Sequence, residues 1–192
     1  MSHFFAYLSK MKFIKRWGLM RNVREENIQE HSLQVAMIAH SLALIKNKLY
    51  GGELDLYRVL LLAVYHEASE VITGDLATPI KYFNPEIKKA YKDIEQIANQ
   101  RLLSMLPDEL KDEFSSVFFS IPEDNDHRLI VKEADKICAY LKCIEELKAG
   151  NQEFSKAERA IAKDISQMEG PEVKYFMDKF VPSFHLTLDE LN

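Results

Sequence analysis

The chain has 192 residues, of which 47% are apolar and 29% are charged. This composition excludes a largely disordered protein, and the length predicts a single domain over residues 1–192. No apolar run reaches the ~18 residues that a membrane span needs, and the first residues lack the profile of a signal peptide. The two cysteines, Cys138 and Cys143, lie too far apart around one predicted helix to bridge each other. We therefore expect a soluble cytoplasmic protein.

The net charge of −5 is distributed unevenly along the sequence. The first 24 residues contain six basic side chains and no acidic one, while the rest contain 19 basic and 30 acidic side chains, a net charge of −11. An acidic body argues against a general nucleic-acid binder, which needs an extended basic face. The basic segment suits a small anionic ligand better, although a solvated basic helix remains the alternative.

Helical periodicity predicts an all-α protein, with neither a βαβ alternation nor a glycine-rich phosphate loop. Asn27, Asp55 and Asn84 are the expected N-caps of three helices, and Gly150 is the expected end of a fourth. The helix over 33–45 is apolar nearly all round and should be central. In chain order, helices are expected over 2–12, 33–45, 56–71, 85–106, 108–119, 127–149, 155–167 and 172–180, with a loop over 73–79.

Three places put polar side chains into apolar helical patterns, where an unpaired buried charge costs several kcal/mol. They are His31, the pair His66 and Glu67, and Asp135. Each by itself is more often a structural residue that has found a partner. Together they form a set of nitrogen and oxygen ligands on three helices, which suits one divalent transition metal ion.

These residues carry a resemblance to a known family. The order His, His, acid, Asp resembles the HD-domain metal-dependent phosphohydrolases, and the flanking residues look like the bacterial 5′-deoxynucleotidases among them. The flanks are Arg16-Trp17, ENIQEHS at 26–32, YHEASE at 65–70, GDLATPIK at 74–81 and EAD at 133–135. The resemblance implies an HD-domain helical bundle, with the metal site on a central buried helix pair. It also implies hydrolysis of 2′-deoxyribonucleoside 5′-monophosphates to deoxynucleoside and phosphate, by a homodimer.

The resemblance also implies roles for individual residues. The metal ligands are His31, His66, Glu67 and Asp135, holding an ion of the cobalt, manganese or zinc type. Glu70, four residues after His66 and so on the same face of the predicted helix, would act on the attacking water. Asp75 would protonate the leaving 5′-oxygen or hold the 3′-hydroxyl, Arg16 would bind the phosphate, and Trp17 would exclude a 2′-hydroxyl by its bulk. The expected substrate contacts are Arg16, Trp17, Glu67, Asp75, Leu76, Ala77 and Thr78.

Two departures from the family pattern keep other functions open. Glu67 stands where the family has Asp, which moves the carboxylate by more than about 1 Å on an unchanged backbone, beyond the roughly 0.5 Å that active sites tolerate. Ala77 stands where the family has Pro, which should loosen the substrate loop. The alternatives are an HD-type hydrolase of nucleotide di- or triphosphates, a nucleotide- or metal-binding protein without turnover, and a purely structural helical protein.

Overall fold

The computed structural model describes residues 1–81 and 83–191, and within these ranges it is all-α, as predicted, with no β-strand. Short 3-10 turns connect several of the helices. None of the described helices is both long enough and apolar enough to cross a membrane. The helices are α1 (Phe4–Leu8), α2 (Ile28–Leu49), α3 (Leu56–Tyr65), α4 (Glu70–Thr73), α5 (Thr78–Lys81), α6 (Pro85–Ser104), α7 (Asp108–Phe118), α8 (Asn125–Lys148), α9 (Ser155–Ser166) and α10 (Pro171–Lys179).

The main core lies between α2, α3 and α8, which confirms α2 as a central helix. Apolar side chains from all three helices are fully or almost fully removed from solvent, and each buried valine, leucine or isoleucine contributes about 1.5–3 kcal/mol of transfer free energy. Among the most buried are Val35, Ala39, Leu42, Leu62, Ala63, Ile137 and Leu141. The outer side of α2, however, leaves Leu33, Met37 and Leu44 exposed.

A second, smaller cluster joins α1 to α7 and to the end of α3. The buried ring of Phe4 lies edge-on to Phe114, at 5.0 Å between centroids, and also contacts Phe118. Tyr65, the last residue of α3, packs edge-on against Phe114 at 5.5 Å. Tyr65 of this cluster directly precedes His66 and Glu67.

The predicted caps are confirmed. The side chains of Asn27, Asp55 and Asn84 accept hydrogen bonds from the first free backbone N–H groups of α2, α3 and α6. Gly150 follows α8 with a φ of +87°, a left-handed conformation that glycine adopts without strain.

The prediction of one continuous helix over 56–71 is wrong beyond Tyr65. The helix ends at Tyr65, and i to i+3 hydrogen bonds such as Glu70 N–H to Glu67 C=O wind the chain through a tight turn before α4 begins. The ring Nδ1 of His66 lies 2.7 Å from the Ala63 carbonyl, which would accept from the Glu67 N–H in a continuous α-helix. Two smaller corrections concern the predicted helix over 2–12, which divides into α1 and a 3-10 turn, and the predicted loop over 73–79, whose end belongs to α5.

Candidate metal and phosphate site

The four predicted metal ligands meet at the centre of the bundle. His31 comes from the first turns of α2, Asp135 from the middle of α8, and His66 and Glu67 from the turn after α3. Each offers one ligand atom, and these atoms all lie within 4.8 Å of one another. Because the helices come from distant parts of the sequence, only the packed core brings the four together.

The two histidine rings carry the test of whether a metal fits. The rings lie 5.4 Å apart between centroids, and Nε2 of His66 is buried without a hydrogen bond, whereas Nε2 of His31 lies 2.9 Å from Asp135 Oδ1. In the neutral ring of His66, the contact of Nδ1 with the Ala63 carbonyl places the proton on Nδ1 and leaves the Nε2 lone pair free. A buried nitrogen lone pair without a donor is the state in which histidine binds a metal, so this position fits one.

The carboxylates complete the donor set. Asp135 Oδ1 lies 2.9 Å from His31 Nε2, and Glu67 Oε1 lies 3.5 Å from His66 Nε2. Burial opposes their ionisation. His31, His66 and Arg16 outweigh it and hold the pKa of both carboxyls below the ordinary value. Both are therefore anionic at neutral pH, as metal ligands must be. The extra methylene of Glu67 leaves its carboxylate inside the group.

Arg16 lies against the same group, with only 14% of its side chain exposed. Its Nη1 donates to Glu26 Oε2 at 2.9 Å and lies 2.6 Å from His31 Nδ1. Its Nη2 lies 3.8 Å from Asp135 Oδ1. Burial favours loss of the proton, but Glu26 and Asp135 outweigh it and raise the pKa of Arg16. Since a guanidinium only donates, His31 Nδ1 must accept, and the neutral ring then carries its proton on Nε2. This contact must therefore be released before His31 Nε2 can offer a lone pair.

Glu70 and Asp75 place two further carboxyls beside the ligands. Glu70 is buried and hydrogen bonds to Glu67, and burial together with the charges of Glu67 and Asp75 raises the pKa of Glu70 to about 10. Burial also raises the pKa of Asp75, against the attraction of Arg16 and of the nearby Trp17 backbone N–H. The one-face argument for Glu70 is wrong because the helix stops at Tyr65, and the tight turn is what brings Glu70 to Glu67.

The remaining predicted substrate residues are Trp17 and the loop residues Leu76, Ala77 and Thr78. Trp17 has a left-handed backbone with a φ of +59°, and its indole packs against Phe154 at 5.3 Å between centroids. Leu76 and Ala77 are half-buried in the loop before α5, and the Ala77 carbonyl accepts the backbone N–H groups of Ile80 and Lys81. The side chain of Thr78 lies outside the part of the chain that the structure describes.

Two acidic residues with a part in this region were assigned no role from the sequence. Glu26 accepts a hydrogen bond from Arg16. It lies inside the motif at 26–32 that carries the family resemblance, and that motif could have indicated its role. Glu146 binds the backbone beyond Trp17, but with Lys142 four residues earlier on a helix it is typical of a solvent-exposed ion pair. No local pattern in the sequence distinguishes a buried pair from an exposed one.

Comparison with known proteins identifies the family of this chain. The family model for YfbR-like 5′-deoxynucleotidases matches residues 3–184. The chain belongs to this family. A 5′-deoxynucleotidase from Vibrio cholerae is 57% identical over 191 residues, which cover 100% of this chain and 98% of that protein. The 5′-deoxynucleotidase YfbR of Salmonella newport is also 57% identical, over 100% of this chain and 96% of that protein.

Solved structures agree on the fold of this family member. An HD-domain phosphohydrolase from Listeria innocua superposes with a TM-score of 0.81 at 23% identity, covering 95% of this chain and 88% of that one. The cyanophage S-2L HD phosphohydrolase DatZ, solved with dA and one catalytic Zn²⁺ ion, superposes with a TM-score of 0.62 at 18% identity, covering 95% and 96%. The predicted HD-domain fold and the resemblance to HD-type 5′-deoxynucleotidases are thus confirmed.

Proposed function

We propose that this protein hydrolyses 2′-deoxyribonucleoside 5′-monophosphates to deoxynucleosides and phosphate, using one divalent metal ion. The observation that carries the proposal is the convergence of four ligand side chains with a buried arginine in one place. Full-length similarity to 5′-deoxynucleotidases at 57% identity supports the substrate class. The residues that would hold the ion are His31, His66, Glu67 and Asp135, a nitrogen and oxygen set suited to zinc, cobalt or manganese.

The chain's own residues divide the remaining work. When bound, a divalent ion supplies Lewis-acid polarisation of a phosphoryl oxygen and acidifies nearby groups, water and the Glu70 carboxyl included. Arg16 presents a planar fork that matches two phosphate oxygens, and Glu26 keeps it oriented. Glu70, once ionised, accepts a proton from the attacking water, and Asp75, when protonated, donates one to the leaving 5′-oxygen.

The preference for deoxyribose is assigned to Trp17. Its backbone N–H lies near enough to Asp75 to oppose the rise in the pKa of that carboxyl, so Trp17 and the proposed acid are neighbours. A bulky ring beside the sugar leaves no room for a 2′-hydroxyl, whereas a small side chain would admit it. The loop residues Leu76, Ala77 and Thr78 are proposed to complete the wall of the substrate site.

The test is phosphate release from deoxyadenosine and thymidine monophosphates beside their ribose counterparts. The protein is stripped with a chelator and supplied separately with manganese, cobalt, magnesium or zinc. Release from the deoxy substrates alone, restored by metal, is the expected result. Pyrophosphate or tripolyphosphate from di- or triphosphates would favour the other class of HD hydrolase. Silence with every metal, combined with measurable nucleotide binding, would contradict turnover.

We further propose a homodimer that forms through the exposed sides of α2 and α3. These two helices pack together and leave seven large apolar side chains exposed, and an exposed apolar surface is typical of a protein–protein interface. The expected result is a dimer in light scattering, which Leu61→Glu converts to monomers while the helical circular dichroism is kept. A monomeric wild-type protein would contradict the proposal. The exposed residues are Leu33, Met37, Leu44, Tyr57, Leu60, Leu61 and Val64.

The compartment and the domain organisation stay as proposals too. Cys138 and Cys143 are both buried and unpaired, which is in keeping with a reducing cytoplasm. Cell fractionation tests the compartment. One cooperative unfolding transition would support a single domain over residues 1–192, and two separate transitions would contradict it.

A further inference from the structure

Arg16 and Trp17 belong to a stretch of irregular backbone, residues 15–27, which we name the recognition segment. Its two ends are closed by an isolated antiparallel bridge between Lys15 and Asn27. The Arg16 N–H donates to the Glu26 carbonyl at 2.9 Å as part of that closure. Between these ends the segment has no helix or strand to bind its backbone groups. Its conformation therefore depends on partners from elsewhere in the fold.

Those partners come mainly from one buried carboxylate on α8. Glu146 is 1% exposed, and its carboxylate accepts the backbone N–H groups of Val23 at 2.8 Å and Arg24 at 3.2 Å. It also accepts from Nζ of Lys142 and, at 2.8 Å, from Nδ2 of Asn151. A carboxylate has about four acceptor positions, so Glu146 is fully occupied by the segment and its own two neighbours.

The two neighbours bind the segment as well. Lys142 donates a second hydrogen bond to the Arg24 carbonyl, and Asn151 donates to the Arg21 carbonyl at 2.7 Å. We call Lys142 and Glu146 of α8, together with Asn151 just after the end of that helix, the α8 anchor. All of its contacts to the segment are with backbone atoms, more than a hundred residues away in sequence. The anchor therefore fixes the path of the chain whatever side chains the segment carries.

The anchor also reaches the indole of Trp17. Nζ of Lys142 lies 5.8 Å from the centroid of the Phe154 ring, and the Phe154 ring packs against Trp17 at 5.3 Å. The left-handed φ of +59° at Trp17 is a conformation that costs about 1–3 kcal/mol and persists only where surrounding contacts hold it. A buried ion pair is by itself a weak source of stability. The ion pair of Lys142 and Glu146, however, binds the segment that carries Arg16 and Trp17, so it acts on the position of these two residues.

We propose that the α8 anchor is a positioning device, which holds the recognition segment so that Arg16 meets the phosphate and Trp17 meets the sugar. None of its three side chains is expected to touch the substrate. The proposal rests on the deoxynucleotidase function proposed above, and it assigns Glu146 a role in selectivity for deoxyribose. If the anchor loosens, the indole should move away from the sugar, and ribonucleotides should be excluded less well.

The central variant is Glu146→Gln, which keeps the size of the side chain but turns two acceptor oxygens into one oxygen and one donor. At least one of the backbone N–H groups then faces another N–H group. The matched control is Glu172→Gln, since Glu172 is equally buried and accepts from Lys46 at 2.9 Å, away from the segment. Positioning groups of this kind typically change activity by about 10- to 100-fold, and we expect kcat/KM for deoxyadenosine monophosphate to fall by that factor.

Three measurements separate positioning from general stability. The ratio of kcat/KM for deoxyadenosine over adenosine monophosphate should fall several-fold in Glu146→Gln and stay unchanged in Glu172→Gln. Manganese affinity, by calorimetry, should not fall in either variant, because the four ligands lie outside the segment and Arg16, the segment residue that contacts His31, opposes metal binding. Trp17 is the single tryptophan of the chain, so acrylamide quenching of its fluorescence reports on the segment directly. Quenching should increase in Glu146→Gln alone.

An unchanged selectivity ratio and unchanged quenching in folded Glu146→Gln would overturn the proposal, as would equal changes in Glu172→Gln. If Glu146→Gln does not fold, Asn151→Ala keeps the buried ion pair and removes the bonds to Arg21 and Glu146. It should shift selectivity and quenching in the same direction by a smaller amount, and no shift would overturn the proposal. If the wild-type enzyme proves inactive, the function proposed above fails, and quenching without substrate still decides whether the anchor holds Trp17.

Discussion

The two sides of the site are built in different ways. On the ligand side, His31 and Asp135 stand on α2 and α8, the longest helices in the described part of the chain, whose backbones satisfy their own hydrogen bonds. On the recognition side, Arg16 and Trp17 stand on irregular backbone that buried polar side chains hold from outside. Metal affinity should therefore follow the packing of the core, and substrate selectivity should follow a few polar contacts.

The largest effect is expected from a change on the ligand side. His31→Ala should lower phosphate release by about 10³-fold or more, because a lost ligand weakens both Lewis-acid catalysis and phosphate positioning. Metal content after dialysis should fall with it. His40→Ala on the same helix is the control, since the predicted helical spacing turns His40 away from the site. Full activity in His31→Ala would remove His31 from the ligand set.

Arg16→Met probes the point where the two sides touch. Activity should fall by about 10²–10³-fold, the usual cost of removing a donor to developing charge. Metal affinity should rise, because the change removes a cation near Asp135 and a donor that holds His31 Nδ1. Arg16→Lys keeps the charge but loses the fork, so its activity should be intermediate. Calorimetry with manganese checks the affinity. Weaker binding in Arg16→Met would contradict the inference that Arg16 opposes metal binding through His31 and Asp135.

Glu67→Asp tests the departure from the family pattern. Because the longer carboxylate already lies among the other ligands, we expect the rate to change by less than about tenfold, through small changes in metal position. Rates of both proteins, each loaded with the same metal, provide the comparison. An inactive wild-type protein that Asp restores would instead indicate a binding protein without turnover.

The smallest effect concerns acid stability on the recognition side. Burial opposes ionisation of Glu146, but hydrogen bonds from Lys142, Asn151 and the backbone hold its pKa at about 2 instead of 4.5. This lowered pKa contributes at most about 3 kcal/mol to the free energy of unfolding above pH 4.5, and the contribution is lost as the pH falls towards 2. Urea unfolding of Glu146→Gln between pH 7 and 3 should therefore show a flatter dependence than the wild type. Parallel curves would contradict the assignment.

Local patterns explain why some features were predicted from the sequence. Asn27, Asp55 and Asn84 cap their helices through contacts within three residues, so the signal and the structure are equally local. The end of α3 was missed for the opposite reason. The side chain of His66 competes for a backbone carbonyl, and neither its residue type nor its spacing reveals that competition.

Caps, periodicity and motif order are read along the chain, and they specify the all-α class, the helix starts and the four candidate ligands. The packing of the helices brings these ligands together, places Arg16 against His31 and buries Glu146 against the recognition segment. Those contacts join residues from separate elements, and their strength depends on removal from water. Burial is a property of the packed molecule, and no local stretch of sequence specifies it.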